Sequence, residues 1–170
     1  MSWSRIAARR WEIGSEGAVA ILGFTLAAGL AAIDYSAGMA SLDDAGVRQL
    51  LEGQNYATIS TLNRNGSIHS TVVWISSEDS AVSVNSAVGR LWPTNLQREP
   101  SVTVVVQENG NPYHFVEIRG TARATREGAD QHINQLAKKY IGQDEYPFRH
   151  PGEERIKFVI SPERVRYVKQ

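Results

Sequence analysis

The sequence predicts a mostly β domain (α+β), closed or split as a barrel, with a few flanking helices. Three observations carry this expectation. From Ala57 onward, seven short segments are rich in Val, Ile, Thr and aromatic residues. Short turn signals separate most of them, which favours antiparallel pairing. Only three stretches have helical periodicity, and they are scattered among the strands.

The chain has 170 residues, enough for one domain with a sizeable core. Hydrophobic residues make up 42% and charged residues 21%, the balance of a folded globular protein. Lys plus Arg and Asp plus Glu are both 18, so no basic excess points to nucleic acid. There is no cysteine, which excludes a disulfide scaffold, a thiolate metal site and a Cys nucleophile. The four His residues have no metal-ligand spacing. No Ser/His/Asp arrangement or Walker-type loop is present.

Residues 1–38 read differently from the rest. Arg5, Arg9 and Arg10 precede the uncharged run AVAILGFTLAAGLAAI, Ala18 to Ile33. That order resembles a signal peptide or membrane anchor. However, Glu12 and Glu16 interrupt it, and the run is shorter than the roughly 20 residues a spanning helix needs. The expectation is therefore an apolar, non-catalytic extension over 1–38 and a cytoplasmic domain over 39–170. Membrane association through 18–33 is the alternative.

The elements follow in order. Ser41, Asp43 and Asp44 offer N-cap chemistry, Val47, Leu50 and Leu51 share a helical face, and Gly53 ends that helix. Ala57 to Leu62 is a strand, and Asn65-Gly66 favours a tight hairpin turn. Ser67 to Ser76 is the return strand, and Ala81 to Ser86 a third. Pro93 suits the first turn of a short helix that Pro100 terminates. Val102 to Gln107 is nearly all apolar, as in a strand buried on both faces. Tyr113 to Thr125 is a long strand with Gly120 as a bulge or bend. Glu127 to Ile141 carries Ile133, Leu136, Ala137, Tyr140 and Ile141 on one helical face, and Gly142 stops it. After an irregular stretch with Pro147 and Pro151 come a strand from Arg155 to Ile160, a turn at Ser161-Pro162-Glu163, and a last strand from Val165 to Val168.

The chemistry concentrates in SVNSAVGRLWPTNLQREPSVTV, Ser83 to Val104. A strand ends in Asn85 and Ser86, and Gly89-Arg90 leads into a helix start. A helix N-terminus presents free N–H groups, and a guanidinium fork suits phosphate. Two readings of Arg90 stand: an anion ligand, or a surface residue pairing with Glu99 or a neighbour.

From Met39 to its end the chain resembles the pyridoxamine 5'-phosphate oxidase-like split β-barrel superfamily, which is FMN-binding-like in fold. The resemblance is to its deazaflavin (coenzyme F420)-dependent reductase branch. The residues that carry it are YATISTLNRNGSIHSTVVW, NSAVGR, TNLQREPSV, NPYHFVEIRGTA and ERIKFVISPERVRY. It implies a homodimer with cofactor sites at the subunit interface. It also implies that His69, Ser70, Thr71, Val72, Val73, Val84, Asn85 and Ser86 line the cofactor ring, the first five partly through backbone groups. Arg90 and Asn95 would meet the phosphate end. Many relatives have a Lys eight residues before the matching Pro, where this chain has Trp92. Trp92 either stacks on a ring system or packs at the dimer interface.

The implied function is hydride transfer from reduced F420 to a small organic substrate, with no dedicated catalytic residue in the protein. An FMN-dependent oxidase or reductase is the alternative, and a non-catalytic flavin- or deazaflavin-binding protein a third. Nucleic-acid and membrane partners are not expected. Trp74 reads as core, and Tyr113 and His114 as turn residues that could reach a partner. Glu117 and Arg119 read as a same-face ion pair. The irregular segment Asp144 to Arg149 either closes over substrate or caps the barrel end.

Overall fold

The computed structural model describes residues 39–170. The extension over 1–38 and the apolar run 18–33 lie outside the described residues. The elements run α1 (Ala45–Glu52), β1 (Ala57–Leu62), β2 (Ile68–Val73), β3 (Ile75–Glu78), β4 (Ala81–Ala87), α2 (Leu91–Arg98), β5 (Ser101–Glu108), β6 (Asn111–Thr125), α3 (Ala129–Ile141) and β7 (Arg155–Val168). All seven strands pair antiparallel in one sheet of order β2-β1-β5-β6-β7-β4-β3.

That order makes the sheet curl. β2 and β3 lie at its two edges, yet only Trp74 separates Val73 from Ile75 in the chain. The edges must therefore meet at Trp74, giving a mostly β split barrel. The strand expected over Ser67 to Ser76 is thus two strands. Its first half pairs with β1, and its second half with β4.

Alternation places the core. Ile59, Val104, Ile118 and Val165 pair across four neighbouring strands as one inward row, each nearly or fully buried. Burial of each such side chain is worth about 1.5–3 kcal/mol. Val84 and Phe158 pair in a second row, which Trp92 of α2 covers. α1 adds Val47, Leu50 and Leu51 to the same cluster. β5 departs from its expected burial on both faces: Val102, Val104 and Val106 point inward, while Thr103 and Val105 are half-buried outside.

The expected turn at Ser161-Pro162-Glu163 is instead a bulge within the continuous strand β7. Arg119 pairs with Arg164 and Gly120 with Pro162, so Glu163 is the extra residue. Gly120 is needed there because a Cβ would lie 2.0 Å from the Ser161 carbonyl oxygen. His114 also departs from its reading as a turn residue. It is buried on β6, with Nε2 2.8 Å from the Tyr167 hydroxyl and Nδ1 3.0 Å from Glu108, while Tyr113 is exposed. Glu117 and Arg119 do form the expected ion pair.

Candidate functional site

The split leaves a seam. β3 pairs with β4 only as far as Ile75 opposite Val84, so Asn85 and Ser86 lie beyond it. β2 has turned away at Trp74 and is an edge strand there. Edge strands present backbone N–H and C=O groups that no neighbouring strand satisfies. A cleft of about 340 Å³ lies along this seam.

Seven of the sequence-derived candidates line the cleft: Thr71, Val72, Val73, Asn85, Ser86, Arg90 and Trp92. Four do not. Val84 is fully buried in the core. Half-buried His69 pairs with Thr61 on β1. Ser70 lies on the outer face, its hydroxyl 2.9 Å from that of Ser60. Asn95 is 2% exposed and donates to Thr61 Oγ1 and Asn63 Oδ1, which ties α2 to the β1–β2 turn.

Asn85 is the most connected cleft residue. Its Oδ1 accepts from Arg155 Nε at 2.9 Å. That bond orients Nδ2 toward the Ala129 carbonyl, 2.8 Å away, and His132 Nδ1, 3.3 Å away. His132 Nδ1 is therefore an acceptor, and the neutral ring carries its proton on Nε2, 2.9 Å from Ser76 Oγ. Burial pushes the His132 pKa down to about 4. The charges of Lys157 and Arg155 add to the effect, and Glu78 opposes it.

Ser86 is different. It is 1% exposed, lines the cleft, and its Oγ has no hydrogen-bond partner. A buried hydroxyl without a partner costs free energy unless a ligand completes it.

Arg90 is the N-cap residue of α2, and its side chain is half exposed. It pairs with Glu153 at 3.4 Å rather than with Glu99. Trp92 is 6% exposed and packs on Phe158 with ring centroids 5.4 Å apart, inside its own subunit's core. Its ring holds up the cleft floor and supplies no charge.

The remaining lining is Tyr56, Trp74, Ile133, Tyr146, Phe148 and Arg155. Trp74 is both packing residue and cleft wall. It stacks on Tyr140 at 5.3 Å, Tyr140 stacks on Tyr56 at 5.4 Å, and Tyr146 meets Trp74 edge-on at 5.9 Å. The Tyr140 hydroxyl donates to the Asn55 carbonyl at 2.8 Å, and burial raises its pKa to about 12. The irregular segment after α3 brings Tyr146 and Phe148 to the cleft, with the Tyr146 amide donating to Asn134 on α3. A strand-opening Arg155 carried no sequence signal of burial. The register that sets it opposite Ala87 buries it.

Among the described residues, no group of three or more His, Asp or Glu is placed to hold a metal ion. Among the same residues, no helix is long and apolar enough to cross a membrane.

Comparison with solved structures gives the same architecture. An F420 reductase is 21% identical, with a TM-score of 0.61 over 69% of this chain and 94% of that one. A conserved hypothetical protein from Mycobacterium tuberculosis is 17% identical, with a TM-score of 0.61 over 74% of this chain and 84% of that one. A putative pyridoxamine 5'-phosphate oxidase from Listeria innocua is 16% identical, with a TM-score of 0.56 over 73% of this chain and 95% of that one. At these identities the likeness is one of fold. No curated protein matches the chain. The sequence model of the pyridoxamine 5'-phosphate oxidase family matches residues 44–169, almost all of the described domain. A split barrel with this strand order, matched along its length, places the chain in the pyridoxamine 5'-phosphate oxidase family.

Proposed function

We propose that the seam holds the ring of a flavin-like redox cofactor, deazaflavin F420 by preference, and that the protein is an oxidoreductase. The observation that carries the reading is Ser86 Oγ: buried, unpartnered and facing a cleft between two strand edges. A conjugated ring edged with carbonyl and N–H groups complements such a lining. Thr71 to Val73 would meet the ring through backbone groups, and Asn85 and Ser86 through side chains. Arg90, beside the α2 N-terminus, would take the phosphate end. The F420 reductase among the structural neighbours supports the preference for deazaflavin.

When bound, a deazaflavin supplies hydride chemistry. The chain's own part is to bind, orient and exclude water. The Trp74–Tyr140–Tyr56 stack makes one wall rigid. His132 and Arg155 hold the Asn85 amide in one orientation.

A cleft of about 340 Å³ is small for a cofactor with a long tail. Leu62, Ile68 and Val72 remain exposed on the outer face of β1 and β2. This favours a homodimer in which the second copy covers the rest of the ligand.

The test is a fluorescence titration with oxidised and reduced F420, and with FMN, on the full chain. Saturable F420 binding is expected, weakened several-fold in Ser86→Ala, as for loss of one hydrogen bond. Binding of FMN alone, in a protein yellow on purification, would shift the reading to an FMN enzyme. Binding of neither would overturn it. Trp92, where the resemblance implies Lys, is the reason to run FMN beside F420.

A further inference from the structure

The Arg90 end of the cleft is short of positive charge. Among the described residues, the cations that line the cleft are Arg90 and Arg155. Arg155 is committed. Its Nη1 is 2.6 Å from Glu153 Oε1, its Nε donates to Asn85 Oδ1, and its guanidinium lies over the Tyr146 ring. With side chains 2% and 7% exposed, Arg155 and Glu153 form a buried pair that is neutral as a unit. The other oxygen of Glu153 faces Arg90, with Oε2 3.4 Å from Nη2. Arg90 therefore meets an incoming anion with a carboxylate already beside it.

Glu153 is held where it is. Arg155 grips its carboxylate, and its backbone N–H donates to the His150 carbonyl at 3.0 Å. The next residue is tied to the loop that carries Arg90, because the Val88 N–H donates to the Glu154 carbonyl at 2.9 Å. Neighbouring cations are paired elsewhere, Arg126 with Glu154 and Arg149 with Asp130.

The helix start adds little. α2 opens Leu91-Trp92-Pro93. Pro93 has no N–H, so the first turn offers an anion the amides of Leu91 and Trp92. The Trp92 side chain is buried against Phe158 and carries no charge.

A site of this kind sorts phosphates by charge. A phosphodiester carries one negative charge. A phosphomonoester carries nearly two at neutral pH, and one below its second pKa of about 6. The first charge meets Arg90. A second charge finds no cation and lies near the Glu153 carboxylate, which repels it.

We propose that Glu153 selects phosphodiesters over phosphomonoesters at the Arg90 end of the cleft. The inference rests on the reading of Arg90 as the phosphate ligand, and it names the chemical class of that phosphate. F420 carries its phosphate as a diester and FMN as a monoester, so the same carboxylate separates the two cofactors.

The experiment titrates the full chain with three forms of one ring: riboflavin, FMN, and the cyclic phosphodiester of FMN. Quenching of the flavin emission reads binding. In wild type at neutral pH the diester is expected to bind about five-fold more tightly than FMN, as for one uncompensated charge at a half-exposed site. Well below pH ~6 that gap should close, because FMN takes up its second proton and the diester does not. Glu153→Gln should close it at neutral pH as well. Gln keeps an oxygen for Arg155. The ratio of the two affinities, unlike either one alone, is insensitive to a general loosening of the cleft. If the variant does not fold, the wild-type pH comparison decides. FMN binding as tightly as the diester in wild type at neutral pH, or a gap that persists in Glu153→Gln, overturns the proposal.

The same titrations separate this inference from the reading beneath it. Riboflavin should bind more weakly than the diester; equal binding means that Arg90 takes no phosphate, and both fail. Tighter binding of both phosphates than of riboflavin, without preference between them, sinks this inference alone. If the flavin ring does not bind, the deazaflavin ring is used in the same way, as its free alcohol, its phosphomonoester and F420. Binding of no form of either ring overturns the proposed function and this inference with it.

Discussion

Asn85 and His132 show how one buried amide organises a site. Asn85 joins the β7 start to α3 through Arg155 and Ala129. Asn85→Leu leaves a buried guanidinium and a buried carbonyl short of a partner, so about 2–3 kcal/mol of stability should be lost. Urea unfolding checks this. His132 predicts a pH dependence. Its folded pKa of about 4 lies below the ordinary 6.5, chiefly through burial. Between those values the unfolded ring binds a proton that the folded ring does not. Stability is therefore complete above about pH 6.5 and falls as pH drops toward 4, by about 3 kcal/mol in all. In His132→Gln, unfolding at a series of pH values should lose the part of this slope between pH 6.5 and 5, above the range of ordinary carboxylates. Asn85 and Ser86 were legible as candidates because polar residues ending a strand before a Gly-Arg pair are unusual for a core, and both line the cleft. Arg155 and His132 were not, because nothing local distinguishes a buried cation or imidazole from a surface one.

At the scale of elements, the strands were legible from alternation and turn chemistry, but their continuity was not. Ser161-Pro162-Glu163 has the composition of a turn, yet β7 runs through it as a bulge opposite Gly120. Proline tolerates a bulge because no ladder hydrogen bond is required of it there. Gly120→Ala should therefore cost about 3 kcal/mol, since a Cβ would meet backbone that cannot swing aside. A chemical-denaturation midpoint checks it, and Thr121→Ala next door, an exposed site, should change stability far less. The Ser67 to Ser76 stretch shows the opposite case. One apolar run is two strands, because its halves satisfy partners on different edges of a curled sheet. Sequence periodicity is blind to which neighbour a strand meets.

At the scale of the molecule, the half-open face of β1, β2 and β5 is the consequence to test. Val72, Thr58 and Val105 pair in one outward row, with Ile68 opposite Leu62 beside it. If this face pairs with a second copy, Ile68→Glu should move the protein from dimer to monomer in analytical ultracentrifugation and weaken cofactor binding in parallel. The sequence by itself determined the fold class, the three helices of the described residues, most strand positions and the Ser83 to Val104 stretch, four residues of which line the cleft. These follow from local causes: period-two and helical patterning, glycine and proline punctuation, and polar residues at a strand end. Tertiary structure alone decided that the barrel splits at Trp74, that Asn95 is a structural brace and Trp92 a floor, and that Arg155 brings a fixed cation into the cleft. Those outcomes depend on strand register and on contacts between residues as far apart as Asn85 and Arg155. No local pattern encodes them.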